Sequence, residues 1–137
     1  AILAMTVEEG KISDYNGKVL SGKYPPIVCI PTTAGTGSET TKFTIVTDTE
    51  NDIKMLLKGS ILPNVAIVDP EFTITAPKSI TAATGMDAFT HAVEAYTSKK
   101  ASPLTDVFAI SAVKRIFKNL PVAYKMEVIK KLVSKCQ

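Results

Sequence analysis

The stretch Ile27-Val28-Cys29-Ile30-Pro31-Thr32-Thr33-Ala34-Gly35-Thr36-Gly37-Ser38-Glu39-Thr40-Thr41 joins a short apolar run to a loop of small, hydroxylated residues. Four apolar residues between prolines form the pattern of a strand buried in a sheet covered on both faces. In open α/β sheets ligands bind beyond the carboxyl ends of such strands, so this is the place for a binding loop. Its glycines let a backbone approach closely, and its hydroxyl and N–H groups can donate to phosphate, ribose or amide groups of a nucleotide. It lacks the lysine of a P-loop and the spacing of G-x-G-x-x-G. A Gly/Thr-rich turn in which Ser38 or Thr40 caps a short helix fits the residues equally well.

Outward from this stretch the chain reads as strands before Pro77 and helices after it. Residues 1–9 read as the end of a helix and 10–26 as a connection. Residues 43–46 and 53–57 are strand candidates separated by the turn-forming run 47–52, and 65–68 is another buried strand ended by Asp69-Pro70. A helix is expected over 79–96, with Gly85 marking an irregular first part. The next opens near Ser102-Pro103, where serine can cap and proline is tolerated, and carries an apolar stripe through Val107, Ile110, Val113 and Ile116. It should end at Asn119-Leu120-Pro121, with a last helix from about Val122 to Ser134. The expected fold class is therefore α/β: residues 1–77 read as the end of an α/β domain, and residues 78–137 as the beginning of an all-helical one. Such a chain reads as part of something larger, because about 40 helical residues have little on which to bury their apolar faces.

Composition excludes several classes. With 137 residues, 45% hydrophobic and 21% charged, the chain is neither disordered nor fibrous. No apolar run approaches the roughly 20 residues that span a bilayer, and Ala1-Ile2-Leu3-Ala4-Met5 has no basic leader, so no membrane partner is expected and the cytoplasm is the default location. Cys29 and Cys136 form no disulfide framework, which agrees with a reducing compartment. The net charge of +3 divides unevenly: residues 1–98 hold 7 Lys and 11 acids, residues 99–137 hold 9 Lys or Arg and 2 acids. Aromatics do not interleave with these basic residues, and Lys114, Arg115 and Lys118 fit the solvated face of an amphipathic helix, so no nucleic-acid partner is expected.

The segment Thr84-Gly85-Met86-Asp87-Ala88-Phe89-Thr90-His91-Ala92-Val93-Glu94 carries the only histidine. On a helix, positions i and i+4 share a face, so the Asp87 carboxylate and the His91 imidazole can converge on one divalent ion. A catalytic metal needs at least three protein ligands, and neither cysteine has ligand spacing to the pair. A solvated Asp-x-x-x-His pair fits the spacing as well.

The segment Pro31 to Glu39, the stretch Val65-Ala66-Ile67-Val68-Asp69-Pro70, and residues Ala82 to Tyr96, in this order, resemble the iron-containing (group III) alcohol dehydrogenases. The resemblance covers most of residues 27–120. It implies a dehydroquinate synthase-like architecture, in which residues 1–77 end a Rossmann-like nucleotide-binding domain and residues 78–137 begin an all-helical metal-binding domain, and an oxidoreductase that interconverts a small primary alcohol or diol and its aldehyde by hydride transfer. The implied cofactors are Fe(II), in some relatives Zn(II), and NAD or NADP. Asp87 and His91 match the first two of one Asp and three His metal ligands. Thr32, Thr33, Thr41, Phe43, Lys54 and Phe72 match cofactor-binding positions, Phe72 falling where relatives often place a leucine. Glu94 is a candidate support for the ligands, and homo-oligomers are implied. The two further histidines and the Gly-Gly-Gly-Ser loop that holds the pyrophosphate in relatives are not among these residues, so a non-catalytic remnant is the alternative.

Overall fold

The computed structural model describes residues 2–133, with side chains to Met126. Cys136, and the end expected for the last helix at Ser134, lie outside the described residues.

Of the described residues, 2–31 and 38–68 form one compact unit. In chain order it contains β1 (Val19–Leu20), β2 (Val28–Cys29), β3 (Phe43–Asp48), β4 (Ile53–Gly59) and β5 (Val65–Ala66). β3 and β4 form an antiparallel hairpin in register from Phe43 opposite Lys58 to Asp48 opposite Ile53, and β1 adds in parallel on the far side of β4. The β-branched run Thr44-Ile45-Val46-Thr47 suits the pleated surface. The turn between the two strands is fastened by Asp48, whose carboxylate accepts from the Asn51 side chain at 2.8 Å and the Glu50 N–H at 3.0 Å. These two bonds hold its pKa below the ordinary value of 3.8.

The core of this unit lies on one side of the hairpin. Leu57, Leu20 and Ala4 are fully buried, packed by Ile12, Tyr15, Tyr24, Val46 and Ile61. Tyr24 lies beside this cluster and donates its hydroxyl to Glu8. Desolvation, then the bond to Glu8, push its pKa up.

Of the described residues, 32–37 and 69–133 form the second unit, built on α1 (Lys78–Thr97) and α2 (Pro103–Val133). They are antiparallel neighbours because only residues 98–102 connect them. Ser102 and Thr105 start α2 with reciprocal bonds: the Ser102 N–H donates to Thr105 Oγ1 at 2.8 Å, and the Thr105 N–H to Ser102 Oγ at 3.3 Å. Along the seam between the helices, Ala92 and Ala109 are buried and Leu120 sits on Gly85.

Several elements differ from those expected. Residues 1–9 hold a three-residue 3-10 turn, Ala4–Thr6, whose Thr6 hydroxyl bonds back to the Leu3 carbonyl in place of a continued helix. The segment 10–26 contains a further 3-10 turn, Ile12–Tyr15, and β1. β3 runs two residues beyond its expected end, because the tight turn needs only residues 49–52, and β4 runs two residues beyond its own at the opposite end, where Lys58 and Gly59 pair with Val19 and Leu20 of β1. β2 and β5 pair in parallel over two residues each, Val28 with Val65 and Cys29 with Ala66, and are not buried: Val28 is 55% exposed and Val65 48%. Among the described residues these strands form a two-stranded sheet of their own, and because side chains project from a sheet's faces, the ladder alone does not cover them.

The helices depart in the opposite sense, toward regularity. α1 runs unbroken through Gly85, whose role is spatial: a Cβ there would lie 2.9 Å from Leu120 Cδ2 and closer still to Cδ1. α2 continues through Pro121 in place of ending there. An interior proline costs about 3 kcal/mol. Packing on both sides of Pro121 offsets it, with Leu120 against Gly85 and the Tyr124 ring taking Lys78 Nζ at 4.9 Å.

Candidate functional site

The helical repeat of about 100° per residue sorts the side chains of α1. Gly85, Ala88 and Ala92 turn toward α2, whereas Thr84, Asp87 and His91 step along another flank. Asp87 Oδ1 and His91 Nε2 lie 3.9 Å apart, with side chains 45% and 54% exposed. Two donors each about 2.1 Å from one ion can be that far apart, so the pair has the reach to share a metal. Among the described residues no group of three or more His, Cys, Asp and Glu could hold an ion. Asp87 and His91 therefore stand as a pair and not as part of such a group. Glu94 follows one turn later, exposed, and makes no hydrogen bond to His91.

The loop holding Thr32 and Thr33 belongs to the same compact unit as α1. Thr32 is exposed and Thr33 half-buried. Thr33 and Ala34 help to bound a cavity of about 510 Å³ with Thr84, Gly85, Arg115 and Leu120. Phe72, also in this unit, is 48% exposed in the 3-10 turn Pro70–Thr73, where Asp69 caps the Glu71 N–H at 2.9 Å.

The remaining candidates sit in the first unit. Thr41 precedes β3 and accepts the Phe43 N–H at 3.1 Å, which fixes the entry to the strand. Because alternate residues face one side, Phe43, Ile45 and Thr47 share a face with Lys58, Leu56 and Lys54 across the ladder. This is the face away from Met55 and Leu57, and it is open: Phe43 is 44% exposed, Ile45 67%, Leu56 46%. Phe43 and Lys54 therefore share an apolar, lysine-edged surface, at opposite ends of the hairpin. Sequence reasoning passed over Gly35 and the cavity-lining Arg115; the pairing of loop with helix that reveals them has no short-range signal.

Residues 1–70 match the family described as iron-containing alcohol dehydrogenase, and residues 81–131 match the Fe-containing alcohol dehydrogenase family, C-terminal. The chain belongs to the iron-containing alcohol dehydrogenase family. It is 50% identical over 126 residues to the NAD-dependent methanol dehydrogenase of Bacillus methanolicus, covering 90% of this chain and 33% of that protein. A crystal structure of 1,3-propanediol oxidoreductase superposes with a TM-score of 0.85 at 44% identity, covering 90% of this chain and 33% of the other. Sulfoacetaldehyde reductase from Bifidobacterium kashiwanohense, solved in complex with NAD+, gives a TM-score of 0.83 at 41% identity, covering 88% and 33%. The chain spans about a third of the length of these relatives. The likeness to these structures bears out the expected fold class, a Rossmann-like part followed by helices. Among the described residues no helix is long and apolar enough to cross a membrane.

Proposed function

We propose that this chain forms part of a longer, metal-dependent, NAD(P)-linked oxidoreductase that interconverts a small primary alcohol or diol and its aldehyde. The observation that carries this reading is the Asp87 and His91 pair, half-exposed on a flank of α1 that does not pack on α2. A carboxylate and an imidazole one turn apart suit an Fe(II) or Zn(II) ion, and the remaining ligands come from chain beyond these residues. When bound, the ion supplies Lewis acidity toward the substrate oxygen and the nicotinamide accepts or returns the hydride. Asp87 and His91 hold position and contribute charge, with no proton transfer of their own. Thr32 and Thr33 orient the nicotinamide, a geometric contribution. Phe43 and Lys54 offer an apolar surface and a cation to the rest of the cofactor, with Thr41 fixing the strand entry and Phe72 offering a further apolar contact. The same reading makes the whole protein a cytoplasmic homo-oligomer.

The test is direct. The purified longer protein should contain iron or zinc by metal analysis and form NADH or NADPH from a short alcohol or diol, and His91→Ala should lose both properties. A metal-free protein with no cofactor reduction would overturn the reading. Because the described residues supply two ligands only, the 137-residue chain alone should bind Zn(II) weakly and turn over no alcohol. Robust activity of that chain, abolished by His91→Ala, would contradict the placing of further ligands beyond it.

A further inference from the structure

Residues 32–37 pack with the helices, although the residues on either side of them, Pro31 and Ser38, belong to the other unit. The closest approach is at Gly35. A Cβ at this position would fall on the carbonyl oxygen of Thr84 and lie 2.7 Å from the Thr84 Cβ. Ordinary contact begins at 3.4 Å. The obstacle is the main chain of α1, which cannot swing aside as the end of a flexible side chain can.

Gly35 does not need glycine for its backbone angles. The left-handed conformation in this loop is at Gly37, with φ of 61°, and not at Gly35. Gly35 is therefore glycine for space alone. Thr84 stands three residues ahead of Asp87 and on its flank of α1, so the contact joins the Thr32-Thr33 loop to the helix about one turn from the metal pair.

We propose that Gly35 is a positioning residue: the missing Cβ seats the loop on α1 and so sets the separation between the threonines that orient the nicotinamide and the Asp87–His91 pair. This inference rests on the dehydrogenase reading above. Any side chain at position 35 lifts the loop off the helix. A displacement of about 1 Å from the reacting geometry can cost about 100-fold in rate.

The experiment compares the longer, metal-loaded enzyme with its Gly35→Ala variant. Metal content by elemental analysis and NADH affinity by fluorescence titration should stay within about threefold of the unmodified enzyme. The kcat should fall about 100-fold, and the primary deuterium isotope effect on kcat should rise as hydride transfer becomes rate-limiting. A kcat within threefold of the unmodified enzyme, with the same isotope effect, would overturn the inference; so would a loss that merely tracks lost metal or NADH. If the alanine variant does not accumulate folded, amide hydrogen exchange in the unmodified enzyme decides. Loop amides 33–36 should be protected within about tenfold of amides 84–88, and exchange more than about 100-fold faster sinks the idea. An unmodified protein that reduces no NAD or NADP with any alcohol would fail the dehydrogenase reading itself. An active enzyme with an unperturbed variant would fail this inference alone.

Discussion

The β3–β4 hairpin and helix α1 use their two sides in the same way with opposite chemistry. On the hairpin, Leu57 and Met55 are buried on one face while Ile45 and Leu56 stand open on the other. On α1, Gly85 and Ala92 are buried, and Asp87 and His91 face outward. The open side is apolar in the hairpin and ionisable in the helix. An element that carries a site must keep one side out of the packing, and the residue types on that side report what it meets. On the function proposed above, the lysine-edged apolar surface would meet a flat, charged cofactor, and the carboxylate with its imidazole a cation.

Five substitutions and a change of pH would break or sharpen this contrast. The largest effect is expected on the open side of α1: His91→Ala should lower kcat/KM of the longer enzyme by more than about 1,000-fold, or about 4 kcal/mol of transition-state stabilisation, with metal content measured alongside. On the packed side of the hairpin, Leu57→Ala should cost about 3 kcal/mol in urea unfolding. Its neighbour Leu56→Ala, on the open side, should cost under about 0.5 kcal/mol, and equal losses would refute the assignment of faces. Lys54→Ala should leave the unfolding midpoint unchanged while weakening NADH binding about tenfold, as one lost charge contact predicts; an unchanged affinity would return Lys54 to a solvated strand lysine.

The smallest effect is in the turn. The Asp48 pKa is held below its ordinary value of 3.8, first by the Asn51 side chain and then by the Glu50 N–H. A depressed carboxylate favours the folded state above its unfolded pKa, and that contribution fades as pH falls through the folded value. Unfolding curves should therefore show a small, Asp48-dependent loss beginning just below pH 4, absent in Asp48→Asn. Tyr24 works at the other extreme: with its pKa raised above 10.0, its contribution holds at neutral pH and is lost only as strongly alkaline pH ionises it.

Legibility in the sequence followed the range of the forces. The start of α2 was readable at Ser102-Pro103 because a cap is a local bond. The hairpin was readable from its β-branched run and turn residues. Pro121 misled because the contacts that carry α2 past it, at Gly85 and Lys78, come from another helix. The apolar run at Cys29 pointed to burial that pairing with β5 does not provide, since a ladder bonds the backbone and leaves the faces, with Val28 55% exposed, to other layers. For the site, Asp87 and His91 were visible because their spacing is that of one helical turn. Gly35 was not, since its significance lies in a residue 49 positions away, Thr84.

The five-residue connection between α1 and α2 also bears on the order of folding. A helical hairpin closes through local contacts, and such structures form early and fast compared with sheets whose partners are distant in the chain. β1 must find β4, and β2 must find β5, across more than thirty residues. Asp87 and His91 need only their own helix to come within reach of each other. The pair is thus set to be in place before the strands have found their partners.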